Sequence, residues 1–128
     1  MSYVRISLMT PRPGRAADAA RLLDAVIDFC HTQPGYLGGF RLESGDESGM
    51  IGRVTIWEDE HNADAVAQTD HMLALRSALN VVVVEGTHEE RGFRAYEAGI
   101  RPGGVGLSGM VALAEEIIGR AQDPASDA

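Results

Sequence analysis

Hydrophobic and polar positions alternate over residues 3–9, YVRISLM. Val4, Ile6 and Leu8 fall on one face, and Tyr3, Arg5 and Ser7 on the other. A period of two predicts a strand. The TPRPG that follows ends it, because proline cannot donate to a sheet ladder. From Arg15 onward the period lengthens: Ala19, Leu22, Leu23, Val26 and Cys30 recur at helical spacing, with Arg15, Asp18, Arg21 and Asp28 largely on the polar side. That is an amphipathic helix, closed by Pro34-Gly35. YLGGFRLES predicts a second strand and SGDESG its turn. Met50 to Trp57 predict a third strand, in a hairpin with the second. On it Val54 and Ile56 point to one face, and Ile51, Arg53, Thr55 and Trp57 to the other.

A second helix is expected from Asp59, a good cap, with Ala63, Val66 and Ala67 as its buried stripe. Continued unbroken, it would carry Asp70 onto that stripe, where an unpaired carboxylate is costly. A break near Thr69 avoids the cost, with Thr69 capping a further segment to Leu79 or beyond. Val81 to Val84 could finish that helix or form a short strand. HEERGFRAYE predicts a last strand, with Phe93 and Tyr96 on opposite faces. GIRPGGVGLSG is a connector. A helical stripe of Leu107, Met110, Val111, Ala114, Ile117 and Ile118 follows, and DPASDA frays.

The order is β-α-β-β-α-β plus a C-terminal helix, an α+β chain of ferredoxin-like arrangement. Residues 1–99 form the domain, and 100–128 the connector, helix and tail. Strands with large or apolar groups on both faces need both faces covered, and helices cover only one. A second copy of the chain is expected over the other, with Tyr3, Arg5, Arg53, Thr55 and Trp57 as candidates for that face.

Composition narrows the function classes. The formal charge of −8 over 128 residues argues against nucleic acid and anionic membranes as partners. The single cysteine, Cys30, excludes an internal disulfide and suits a reducing compartment. The N-terminus enters the alternating pattern directly, so no signal peptide is expected. No apolar run is long enough to span a bilayer, and a cytoplasmic protein is expected.

Most chemical motifs dissolve on inspection. Gly104-Val-Gly106-Leu-Ser-Gly109 matches a dinucleotide fingerprint literally, but follows no strand and precedes too little chain for a βαβ unit. His61 and Asp64 lie one helical turn apart, with His71 and His88 elsewhere, and no spacing supplies a recognised set of metal ligands. Cys30 sits on an apolar stripe, as a small core residue would. His71 falls in the first turn of a helix restarting at Thr69. There the positive end of the dipole disfavours the imidazolium and leaves the neutral form a general base needs, though a solvated or capping histidine fits the same position. Trp57, the only tryptophan, either fills a core or seam, its indole N–H finding one acceptor, or lines a cavity where an aromatic ligand stacks.

PGYLGGFRLES and VTIWEDEHNADAVAQTDHMLALRSAL, in this strand-helix order, resemble the antibiotic biosynthesis monooxygenase family. The resemblance spans about residues 3–97. It implies a dimeric α/β barrel with a small cavity between sheet and helices in each subunit. Members of the family include oxygenases that use neither metal nor flavin, and haem-degrading enzymes. The haem-degrading pattern wants an asparagine on the first strand, where Ser7 stands. It also wants a tryptophan and a histidine on the second helical region, where the nearest positions are Val66 and Arg76. The resemblance therefore implies a cofactor-free oxygenase acting on a small hydroxylated aromatic, quinol- or anthrone-like, and O₂. Such a reaction needs a base, a donor for the phenolate and a dry pocket. His71 is the candidate base and Arg53 or the Trp57 N–H the donor. Trp57 and Tyr36 are candidate aromatic walls, with Thr55, Leu73 and Phe29 beside them. The alternative is a non-catalytic dimeric barrel that binds a small hydrophobic molecule.

Overall fold

The computed structural model describes residues 1–98 and 107–122. Strands β1 (Ser2–Met9), β2 (Tyr36–Glu43), β3 (Ile51–Trp57) and β4 (Glu89–Ala95) alternate with helices α1 (Ala16–His31), α2 (Glu60–Ala67) and α3 (Asp70–Val82), and α4 (Leu107–Gln122) follows. The strands form one antiparallel sheet in the order β2-β3-β1-β4. This is the ferredoxin-like topology, with α1, α2 and α3 on one face. The chain divides into two compact units, Met1–Tyr96 and Glu97–Ala128. The connector at 99–106, the end at 123–128 and the side chains of Leu107, Met110 and Val111 lie outside the described residues. Within α4, Leu113, Ile117 and Ile118 are each more than half exposed.

The local signals act where the spacing puts them. Asp59 accepts a hydrogen bond from the Asn62 N–H and Thr69 one from the Met72 N–H, so α2 and α3 each begin on a side-chain cap. The helix breaks at Gln68-Thr69, which leaves Asp70 exposed in the first turn of α3 rather than on a buried stripe. Val81 and Val82 finish α3, whereas Val83 bridges to Pro11, so the valine run divides between the two expectations.

One expectation is inverted. Tyr3, Ser7, Met9, Ile51, Arg53, Thr55 and Trp57 are all buried, and they share the face that the helices cover. Ala19, Leu23, Val26 and Cys30 of α1 pack there, with Ala63, Val66, Met72 and Leu79 of α2 and α3. The set assigned to the partner-facing side thus lies beneath the protein's own helices. Val4, Ile6, Leu8, Val54 and Ile56 remain only partly covered. Arg53, Thr55 and Trp57 tolerate the helix side because their polar ends are hydrogen-bonded within it, while their stems fill space.

Candidate active site

A small cavity lies between the helix-side face of the sheet and the helices. Strands β1 and β3 direct Arg5, Arg53, Thr55 and Trp57 into it, β4 adds Glu90, and α3 adds Met72 and Arg76. Cys30 and the small apolar residues of α2 close the remaining wall. Its volume is about 10 Å³, room for about one water molecule.

Thr55, fully buried, is the centre of its polar network. Its Oγ1 accepts from Trp57 Nε1 at 3.1 Å and from Arg53 Nη1 at 3.1 Å. A hydroxyl has two lone pairs and one hydrogen. With both lone pairs engaged, Thr55 is left as a donor. The tryptophan is 2 % exposed, finds one buried acceptor and lines the cavity.

Charge is concentrated beside it. Arg53 Nη2 donates to Glu90 Oε1 at 3.1 Å, and Arg76 Nη2 to Glu90 Oε2 at 2.7 Å, so one carboxylate serves two guanidiniums. Arg5 Nη2 donates to Asp64 Oδ1 at 2.7 Å and to Tyr3 Oη at 3.2 Å. Burial pulls the Arg53 guanidinium below its ordinary value, and Glu90 opposes that; arginine remains charged all the same. Burial likewise lowers His88, with Arg76 and Arg53 adding to the shift and Glu90 resisting it. Burial raises the Cys30 thiol, Arg53 acting in the opposite direction. Among the described residues, two buried polar atoms have no hydrogen-bond partner: His88 Nε2 and Ser7 Oγ. Ser7 stands between Arg53 and Glu90 in the strand register.

The residues singled out in the sequence divide into two groups. Arg53, Thr55 and Trp57 converge in the cavity. Tyr36 packs edge-on against Trp57, centroids 5.6 Å apart, outside the lining. Phe29 and His71 stack on each other at 4.2 Å, also outside it. His71 and Leu73 are exposed, the latter by 50 %. His71, expected as a base, and Leu73, expected as a wall, both lie outside this cavity's lining, and Met72, between them, is the side chain turned inward. Sequence reasoning missed Arg5, Arg76 and Glu90. Glu90 is legible only through strand register, since it faces Ser7, which faces Arg53. Among the described residues, no three His, Cys, Asp or Glu side chains come together as a metal site needs, and no helix is long and apolar enough to cross a membrane.

Comparison with known proteins gives this geometry a context. The family described as antibiotic biosynthesis monooxygenase matches residues 1–78. No curated protein matches by sequence. Among solved structures, the chain is similar to SnoaB, a cofactor-independent oxygenase from Streptomyces nogalater. A mutant of that protein (N63A) shares 18 % identity and a TM-score of 0.68, over 77 % of this chain and 96 % of the other. Rv0793 from Mycobacterium tuberculosis is similar at 17 % identity and a TM-score of 0.68, over 77 % and 99 %. PA3566 from Pseudomonas aeruginosa matches at 17 % and 0.64, over 75 % and 95 %. At these identities the likeness is one of fold.

Proposed function

The chain belongs to the antibiotic biosynthesis monooxygenase family, and from that premise we propose that it is a cofactor-independent monooxygenase acting on a small hydroxylated aromatic, quinol- or anthrone-like. The observation that carries this reading is the donor arrangement around Thr55. The Trp57 indole and the Arg53 guanidinium fix its oxygen, and its hydrogen remains for an acceptor in the cavity. A buried, preoriented donor stabilises the oxyanion of an ionised substrate far more than a solvated one does.

The chemistry asked of the protein is limited. An anthrone-type anion gives one electron to O₂, and the radical pair joins as a carbon-bound peroxide. Cleavage of its O–O bond then leaves a carbonyl and expels water. Overall a CH₂ group and O₂ become C=O and H₂O. The Thr55 hydroxyl holds the oxyanion, Arg53 supplies positive charge as electron density moves to oxygen, and Trp57 provides the stacking wall. Met72 is the adaptable side chain on the opposite side, and it must move to admit a ring.

The protein acts in this reading as a homodimer. Val4, Ile6, Leu8, Val54 and Ile56, with Phe40 63 % and Phe93 48 % exposed, form an apolar sheet face that the helices of Met1–Tyr96 do not cover. A second copy meets it with the same surface.

The test is oxygen uptake with anthrone and a naphthoquinol. Wild type is expected to consume O₂, and Trp57→Phe and Thr55→Val to lose at least about tenfold, the usual minimum for removing a preorganised donor or its support. Absence of uptake, together with saturable quenching of Trp57 fluorescence by the same aromatics, would replace this reading with that of a binding protein. That second reading draws on Glu90, the one carboxylate among the described lining residues, having both oxygens taken by arginines.

A further inference from the structure

We infer that the cavity takes a ligand that is already an anion when it arrives: an aromatic carboxylate, its charge against Arg53 and its ring against Trp57. The inference rests on the reading of this cavity as the ligand site, and adds the class of ligand to it.

Positive charge is in excess around the cavity. Arg5 has its own carboxylate, Asp64. Arg53 and Arg76 share Glu90 alone, so two guanidiniums against one carboxylate leave an excess positive charge. The Arg53 side chain is 8 % exposed, and water cannot screen it well. A buried charge without a full partner is expensive. Among the described residues, the three arginines that line the cavity meet two carboxylates, Asp64 and Glu90.

Hydrogen-bond donors are in excess as well. Among the described residues, Arg53 donates to Thr55 and Glu90 only. The Thr55 hydroxyl retains its hydrogen, and Ser7 Oγ beside them is buried without a partner. Donors exceed acceptors in this buried site, which matches a carboxylate, with two oxygens and no hydrogens to offer. Ionisation before binding also suits a site with no unengaged base: an acid that ionises in water brings its charge with it.

The test is anaerobic titration of Trp57 fluorescence with a matched pair, 1-hydroxy-2-naphthoate and 1-hydroxy-2-naphthamide, which differ in charge and little in shape. The carboxylate is expected to bind at least about tenfold tighter, the factor that a charge-assisted hydrogen bond supplies. Arg76→Gln should weaken the carboxylate and leave the amide unchanged. Glu90→Gln, which removes the competing internal anion, should tighten the carboxylate. A merely structural Glu90 would give weaker binding of both. Equal affinity for the pair, no binding of either, or loss of carboxylate affinity in a folded Glu90→Gln protein would overturn the inference. Should Glu90→Gln fail to fold, the wild-type comparison and Arg76→Gln decide. The outcome separates from that of the oxygenase proposal. Carboxylate preference without O₂ uptake leaves the binding class standing alone, and O₂ uptake on neutral quinols without that preference leaves the oxygenase standing alone.

Discussion

Thr55 carries more than its size suggests, because two buried donors depend on one oxygen. Thr55→Val keeps the shape and strands both the Trp57 N–H and an Arg53 N–H. A buried donor left unpaired costs about 1–3 kcal/mol, more when charged, so a loss of about 2–5 kcal/mol is expected in urea denaturation. Trp57→Phe in the Thr55→Val background should cost less than in wild type, since one stranded donor is then already gone; strictly additive losses would show the two side chains to be uncoupled. His88 offers a second measurement. Burial depresses it from an ordinary value of 6.5, with Glu90, Arg76 and Arg53 as the charges acting on it. Below that value the unfolded chain binds a proton that the folded chain resists, so stability falls as the pH drops from 6.5 toward the depressed value. Melting temperatures between pH 7 and pH 5 should fall less steeply in His88→Gln than in wild type; parallel curves would remove His88 from the acid sensitivity. Residues of this kind were only half legible in the sequence. Parity put Arg53, Thr55 and Trp57 on one face, but Glu90 lies 37 residues beyond Arg53, and only the folded register brings them together. Helix position alone singles out His71, and its outward direction depends on which side of α3 meets the core.

Helix boundaries were the most legible elements, since each is set by a neighbouring residue. The cost of a buried carboxylate is enough to require a break before Asp70, and Thr69 caps α3 there. Thr69→Ala is expected to cost about 1 kcal/mol, as loss of such a cap does. Unfolding midpoints unchanged by the substitution would mean that packing of Met72 and Leu79 alone fixes the start of α3. Gly35, between α1 and β2, has φ +82°, and a β-carbon there would press on the Asn62 side chain. Gly35→Ala should therefore destabilise by more than about 1 kcal/mol, whereas Gly38→Ala, at which a β-carbon meets nothing within 4 Å, should cost less. Similar melting temperatures for the two would deny Gly35 its conformational role. The valine run at 81–84 was not decidable from its pattern, because its last members respond to Pro11 and Thr10, both remote in sequence.

At the scale of the molecule, alternation separated the two faces of the sheet correctly, but which face the helices cover was inverted. Hydrophobicity favours putting Val4, Ile6, Leu8, Val54 and Ile56 inside. The fold instead encloses the face with Arg53, Thr55, Ser7 and Trp57, because partners from α2 and β4 meet their polar ends: Asp64 lies 59 residues from Arg5, and Glu90 pairs with Arg53 and Arg76. No local pattern contains such pairings. The consequence is an apolar outer face on Met1–Tyr96, with a groove of about 170 Å³ lined by Ile6, Leu8, Glu89, Arg91 and Phe93. An apolar sheet face of this kind is unfavourable in water, which is the physical ground for the proposed dimer. Phe40, 63 % exposed and paired with Val54 across the strands, tests it with little risk to the fold. Wild type is expected to run as a dimer at micromolar concentration in light scattering. Phe40→Glu should place like charges near a two-fold seam and shift the protein to monomer, with its far-ultraviolet circular dichroism retained. A monomeric wild type would remove the dimer, whereas a Phe40→Glu variant that stays dimeric would move the interface away from this part of the sheet.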